Sequence, residues 1–293
     1  MLSTYVKLLL MALFWGGTFI AGRLLAQSMG PYAGAFLRFA VASACLAAVM
    51  LKMERHPARP TGRDIALIVL MGLTGIFAYN VLFLKGLKLI EAGRAAIIIA
   101  NNPIGIALMA AVFFGERLNL LKAAGILVSV AGALIVITRG EVTALVTGGF
   151  GRGELYILGC VASWVAYSLL GKIVMARLSP LAAVTYSSAA GTLLLFPAAL
   201  TDGLLGTGGA PLIAWGSIAY LGFFGTVLGF VWYYQGIQRI GPVRAGLFIN
   251  FVPVFAVLLA VLLLGEPLSL SLVAGAALVS TGVCLTTLGA HRA

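Results

Sequence analysis

Charge is what this sequence has least of. Only 9% of its 293 residues are Asp, Glu, Lys or Arg, and 62% are hydrophobic, whereas a water-soluble domain carries roughly 25% charged residues. The polar surface is too small to wrap a soluble globule of this length, so most of the outer surface must face lipid. Acidic residues are the scarcest: Glu54, Asp64, Glu91, Glu116, Glu141, Glu154, Asp202 and Glu266 are all there are. Every one falls in a loop or at the end of an apolar run, and His56 and His291 also lie outside the runs. A buried proton relay or an intramembrane acid–base enzyme is therefore left without its groups, and no enzymatic activity is expected. The three cysteines, Cys45, Cys160 and Cys284, each sit alone in apolar sequence. With no Cys-x-x-Cys and no Cys/His cluster, neither a metal site nor any other cofactor is expected, and the thiols read as small buried hydrophobes. A net charge of +11 does not point to nucleic acid, because the basic residues are scattered at the ends of apolar runs, where orientation signals belong.

What is present is hydrophobic sequence in segments of membrane-crossing length, about 20 residues each. Ten helices are predicted near 3–26, 31–52, 64–85, 93–114, 118–138, 153–176, 180–200, 211–236, 243–264 and 270–289. Pro31 and Pro180 open two of them, since a first turn has no use for the N–H that proline lacks. The polar, proline-broken stretch around residues 54–63 and the glycine-rich stretches 140–153 and 202–211 separate others. The apolar N-terminus could be read as a cleaved signal peptide, but this segment has a counterpart deep in the chain, which argues for its retention. Lys7, Lys52, Arg55, Arg59, Arg63, Arg117, Lys122, Arg177, Arg239, Arg244 and Arg292 collect on one side of such a topology. Arg23, Lys85, Lys88, Arg94, Arg139 and Arg152 form the smaller set on the other. Basic loops stay in the cytoplasm, so both termini are expected there, in a bacterial inner (plasma) membrane.

The chain is also duplicated. Trp15, Gly22, Arg23 and Pro31 match Trp164, Gly171, Lys172 and Pro180 at an offset of 149. Gly72, Gly75, Gly86, Ile90, Arg94, Ala95, Pro103, Gly115, Glu116, Leu118, Gly125 and Gly132 match Gly222, Gly225, Gly236, Ile240, Arg244, Ala245, Pro253, Gly265, Glu266, Leu268, Gly275 and Gly282 at 150. The expected units are a first repeat over 1–139, a linker loop at 140–152 and a second repeat over 153–293. Five helices per repeat is an odd number, so the halves enter the membrane from opposite sides. The fold class is an all-α membrane protein of ten helices in two inverted five-helix repeats, an architecture shared by many secondary transporters.

Candidate site residues follow from polarity at depth. Pro103 and Pro253 lie mid-helix in the fourth and ninth segments, where each frees the carbonyl four residues earlier, at Ile99 and Ile249. In lipid such a break needs a protein-lined or wet neighbourhood, and Asn101, Asn102 and Asn250 stand beside the two prolines. They read either as the polar wall of a cavity or as hydrogen-bonded ties between helices; the prolines read as hinges. Trp15 and Trp164 occupy matching depths, away from the interfaces where tryptophan normally gathers. Tyr79, Asn80 and Phe83 in the third segment, and the run Phe230–Gln235 containing Tyr233 in the eighth, combine rings with a few amides, as small-molecule sites do; Tyr167 stands one turn beyond Trp164. Arg38, two turns into the second helix, is matched by Ser187 and so is no shared structural feature. A guanidinium there suits a carboxylate, unless it snorkels to the headgroups. Glu116 and Glu266, each after a glycine at a helix end, are assigned to fold, and the Gly125/Gly132 and Gly275/Gly282 spacings to close helix packing.

Taken together, the ten helices in two repeats, the tryptophan in each first helix, Pro103 and Pro253, and Gly115-Glu116-Arg117-Leu118 echoed by Gly265-Glu266-Pro267-Leu268 resemble the drug/metabolite transporter superfamily. Its ten-helix exporters with paired EamA-type domains are the nearest likeness, over essentially the whole chain, and in general appearance the chain looks most like the YddG-type amino-acid exporters. The resemblance implies export of amino acids, aromatic and other neutral ones, by alternating access through a central cavity lined mainly by helices one, three, four, six, eight and nine. The expected partners are a small-molecule substrate and the lipid bilayer, without nucleic acid; the oligomeric state is left open, a monomer included. Other members carry other metabolites or drugs, which keeps that alternative open; a non-transporting assembly subunit is a more remote one.

Overall fold

The computed structural model describes residues 2–54, 60–115, 119–141 and 151–290. Glu116, Arg117, Leu118, both histidines and most of the 140–152 linker lie outside the described residues. Among the described residues, ten helices are long and apolar enough to cross a membrane: α1 Leu2–Ser28, α2 Pro31–Met53, α3 Gly62–Leu87, α4 Ala92–Phe114, α5 Leu120–Ile137, α6 Arg152–Val174, α7 Pro180–Thr201, α8 Leu212–Gly241, α9 Arg244–Leu264 and α10 Leu270–Gly289. The protein is an all-α, multi-pass membrane protein. Helix starts obey the expected chemistry: Pro31 and Pro180 occupy first turns, and Thr61 and Asp64 cap α3 reciprocally. Segment α8 runs further than its apolar run implied and stops at Gly241, whose φ of 84° no other residue type adopts comfortably.

The repeats are inverted, and their shared axis can be located from contacts. Residues that touch their own repeat equivalents must lie on it. Ser43 Oγ of α2 is 3.0 Å from Thr192 Oγ1 of α7, its equivalent at the offset of 149. On the opposite side of the molecule α5 packs along α10, antiparallel. A Cβ placed on Gly132 would lie 2.8 Å from the Gly275 carbonyl oxygen, and one on Gly275 2.8 Å from that of Gly132. Gly125 and Gly282 face each other in the same reciprocal way. Lipid gives no hydrophobic drive to this seam, so close backbone approach is what holds it.

Two features were not expected. Segments α3 and α8 each change to π-helix, over Gly72–Ala78 and Tyr220–Leu228. The repeated pairs Gly72/Gly75 and Gly222/Gly225 mark the places. A Cβ on Gly72 would meet the backbone of α7 at Gly191, and one on Gly222 the backbone of α2 at Arg38. In the π-helical turns, Asn80 Nδ2 donates to the Gly75 and Ile76 carbonyls at 3.3 and 2.8 Å, and Thr226 Oγ1 to the Leu221 carbonyl at 3.0 Å. Side chains thus take up carbonyls that the wider turn leaves out of the α-helical ladder.

Candidate substrate pathway

Between the two halves, at mid-depth, lies a cluster of rings. The Trp15 ring is 5.6 Å from Phe230 and 5.7 Å from Tyr233, and Tyr79 is 5.4 Å from Trp164, which is 5.3 Å from Tyr167. Trp15, Tyr79, Trp164 and Tyr233 are partly exposed, whereas Tyr167 and Phe83 are buried. The Trp15 indole donates to the Gly225 carbonyl at 2.8 Å, so the π-helix of α8 also anchors this ring. Phe83 stacks on Tyr79 at 5.8 Å and packs on Phe19 of α1. Tyr167 reaches Ser187 Oγ at 3.4 Å.

Arg38 does not snorkel. It is 7% exposed, its guanidinium stands 4.8 Å from the centre of the Phe39 ring, and its Nη2 reaches Thr226 Oγ1 of the α8 π-helix in a long 3.4 Å hydrogen bond. Its Nε has no partner. A buried guanidinium with a free N–H is costly and points to a missing acceptor. The amide oxygens of Asn80 and Asn102 are likewise buried and unpartnered.

The asparagines at the breaks differ in their bonding. Segment α4 is interrupted at Ala100–Asn101, between helical stretches ending at Ile99 and restarting at Asn102. Asn101 Nδ2 donates to the Ile97 and Ile98 carbonyls at 3.1 and 3.3 Å, and its oxygen accepts from Ser129 of α5 at 2.8 Å. Those bonds tie helices together and use the side chain's donor and acceptor. In α9 the break before Pro253 is a 3-10 turn over Phe248–Phe251, and Asn250 lies 3.7 Å from Cys284 Sγ of α10.

The two ends of the bundle differ. Where α1 ends and α2 begins (the Arg23 end), the Glu266 carboxylate accepts from the backbone N–H groups of Ala92 and Gly93 at 2.7 and 3.0 Å and pairs with Arg23 at 3.4 Å. It therefore sits on the N-terminus of α4, where the helix dipole favours an anion. Arg23 also donates to the Ile90 carbonyl, and Arg94 pairs with Glu154 of α6 at 3.1 Å. The first half of α4 is packed on α1 and α9, and all of Ala92–Ile99 is buried. At the other end (the Lys7 end) the equivalent first half of α9 has no comparable packing on α6 or α4. Ile97 is 1% exposed and its equivalent Leu247 is 41%. Lys7 bonds Gln235 of α8 at 3.1 Å there. The bundle is thus shut at the Arg23 end and packed more loosely toward the Lys7 end. Sequence reasoning assigned Glu266 to the fold and did not find this latch; the clue was an acidic residue repeated opposite a repeated cation, Arg23 and Lys172.

Comparison with known proteins agrees with this architecture. Residues 2–138 and 151–288 each match the model of the EamA-like transporter family. The uncharacterized transporter YyaM of Bacillus subtilis is 31% identical over 99% of this chain and 95% of its own. A probable terminal-alkyne amino-acid exporter of Streptantibioticus cattleyicolor is 32% identical over 97% and 94%. One solved crystal structure, 22% identical, covers 99% of this chain and 98% of its own with a TM-score of 0.63, a likeness of fold.

Proposed function

The chain belongs to the EamA-like transporter family, and from that premise we propose that it exports neutral amino acids, aromatic ones included, across a bacterial plasma membrane by alternating access. The observation that carries the transport cycle is the inequality of equivalent segments: the first half of α4 is buried and the first half of α9 is not. Two halves of one design held in different states describe one end of a cycle, whose other end exchanges their roles. With the basic loops in the cytoplasm, the loosely packed end faces inward, and substrate enters there from the cell. The proposed moving units are the two repeats, 1–139 and 153–293, bending at Pro103 and Pro253.

The amino-acid reading rests on complementary chemistry. The unpartnered Arg38 Nε suits a carboxylate, and the free amide oxygens of Asn80 and Asn102 suit an ammonium. Trp15, Tyr79, Trp164 and Tyr233 offer faces to an apolar or aromatic side chain. The relative from Streptantibioticus cattleyicolor bears an amino-acid exporter's name. No acidic residue lies at mid-depth in the sequence, so transport runs down the substrate gradient. The test is flux of a labelled panel (neutral, aromatic, acidic and basic amino acids, sugars and organic cations) into proteoliposomes at equal pH on both sides. Flux of neutral amino acids alone is the expected result. Transport of cations only, or strict dependence on a pH gradient, would overturn the reading.

A further inference from the structure

A second pocket lies at the Arg23 end, away from the ring cluster, and encloses about 210 Å³. The N-terminus of α4, the C-terminus of α5 and the connection from α9 into α10 form its walls. Arg94 lines it and is 4% exposed. Its Nη2 is committed to Glu154 and the Ile137 carbonyl, but Nε and Nη1 have no partner. A second guanidinium, Arg139, stands at the rim on a left-handed backbone with φ 56°, the one non-glycine residue so placed among the described residues. Ser269 and Ser271 add hydroxyls at the N-terminus of α10, where the helix dipole favours an anion. Val136 and Leu272 supply an apolar wall, and Leu268, Leu270 and Val273 stand exposed beside it. Glu91 lies on the same rim.

We propose that this pocket binds the headgroup of a membrane phospholipid, its phosphate between Arg94 and Arg139 and an amine, as in phosphatidylethanolamine, beside Glu91. Buried unpartnered N–H groups call for an anionic acceptor. A second guanidinium and two hydroxyls converge on the same space, as a phosphodiester requires. The exposed leucines at its edge fit acyl chains better than they fit water. The walls come from both repeats, Arg94 and Arg139 from one and Ser269 and Ser271 from the other, so an occupant ties the halves together at the shut end. Lipid occupancy therefore favours the state closed at the Arg23 end. None of this depends on which solute is carried.

The test uses the full-length protein, purified and delipidated in detergent. Short-chain phosphatidylethanolamine, phosphatidylglycerol and inorganic phosphate are each titrated, with binding read by native mass spectrometry and by melting temperature. Phosphatidylethanolamine should bind and raise the melting temperature. Arg139→Gln, at an exposed position, and Ser271→Ala, at a half-buried one in the first turn of α10, should each weaken it at least fivefold, and Glu91→Gln should abolish its preference over phosphatidylglycerol. Lipid binding unchanged in both Arg139→Gln and Ser271→Ala would overturn the site. Inorganic phosphate binding as tightly as the lipid would overturn the lipid assignment in favour of a soluble anion.

Discussion

Arg38 carries most of the chemistry of the proposed central site. It is buried, charged, singly hydrogen-bonded to Thr226 at long range and left with a free Nε, and its counterpart in the other half is a serine. A carboxylate lost from a guanidinium costs about 1.5–3 kcal/mol, or roughly ten- to a hundredfold in affinity. Arg38→Gln should therefore weaken substrate binding by that factor, measured by titration on purified protein, while Arg38→Lys recovers only part because it loses the fork. Equal affinity in Arg38→Gln would remove it from the site. Asn101 and Asn102 should behave oppositely. Asn101→Ala deletes three hydrogen bonds within and between helices and should lower stability by about 1–3 kcal/mol, seen as an earlier thermal transition, with normal flux in the surviving protein. Asn102→Ala removes an oxygen that nothing in the protein uses and should cut flux with little change in melting. Both asparagines were legible as polar residues beside a proline. Their different bonding was not, because it turns on Ser129 lying opposite one amide and not the other, a tertiary fact.

At the scale of elements, length and apolarity gave all ten spans within a few residues, since a bilayer of fixed thickness leaves a helix little freedom. The π-helical turns in α3 and α8 escaped that reading. An extra residue in one turn scarcely disturbs a hydrophobic run, and the only trace was a glycine pair repeated in both halves. The seam between α5 and α10 was legible as glycine spacing, though the spacing alone could not name the partner helix. There the Gly132 and Gly275 backbones already meet, so a side chain must push the helices apart. Gly132→Leu and its repeat equivalent Gly282→Leu should each destabilise by about 1–3 kcal/mol, and by similar amounts because each faces the equivalent stretch of the other helix. Thermal unfolding in detergent checks both. A loss from one and none from the other would break the proposed symmetry of the seam.

For the whole molecule, duplication was the most informative property of the sequence, because it implied inversion and, through inversion, exchange. What it could not show is which of two equivalent arrangements the chain adopts. The latch gives a physical reason for the one observed. Glu266 takes two backbone N–H groups and Arg23, whereas the residue equivalent to Ala92 is Pro242, which has no N–H to offer, and the residue equivalent to Arg23 is a lysine. The shut Arg23 end is favoured by one more donor than its counterpart can supply. Glu266→Gln should weaken that preference. Exchange of states between the two ends is measurable as electron–electron spin distances in proteoliposomes. One label pair goes at Leu89 and Leu270, and the equivalent pair, displaced by one repeat, at Arg239 and Leu120, all four exposed in the structure. The shorter distance is expected for Leu89–Leu270 in the native background, and in Glu266→Gln a longer population there that grows together with a shorter one at Arg239–Leu120. Distances that stay fixed at both ends, or that lengthen together, would contradict the exchange.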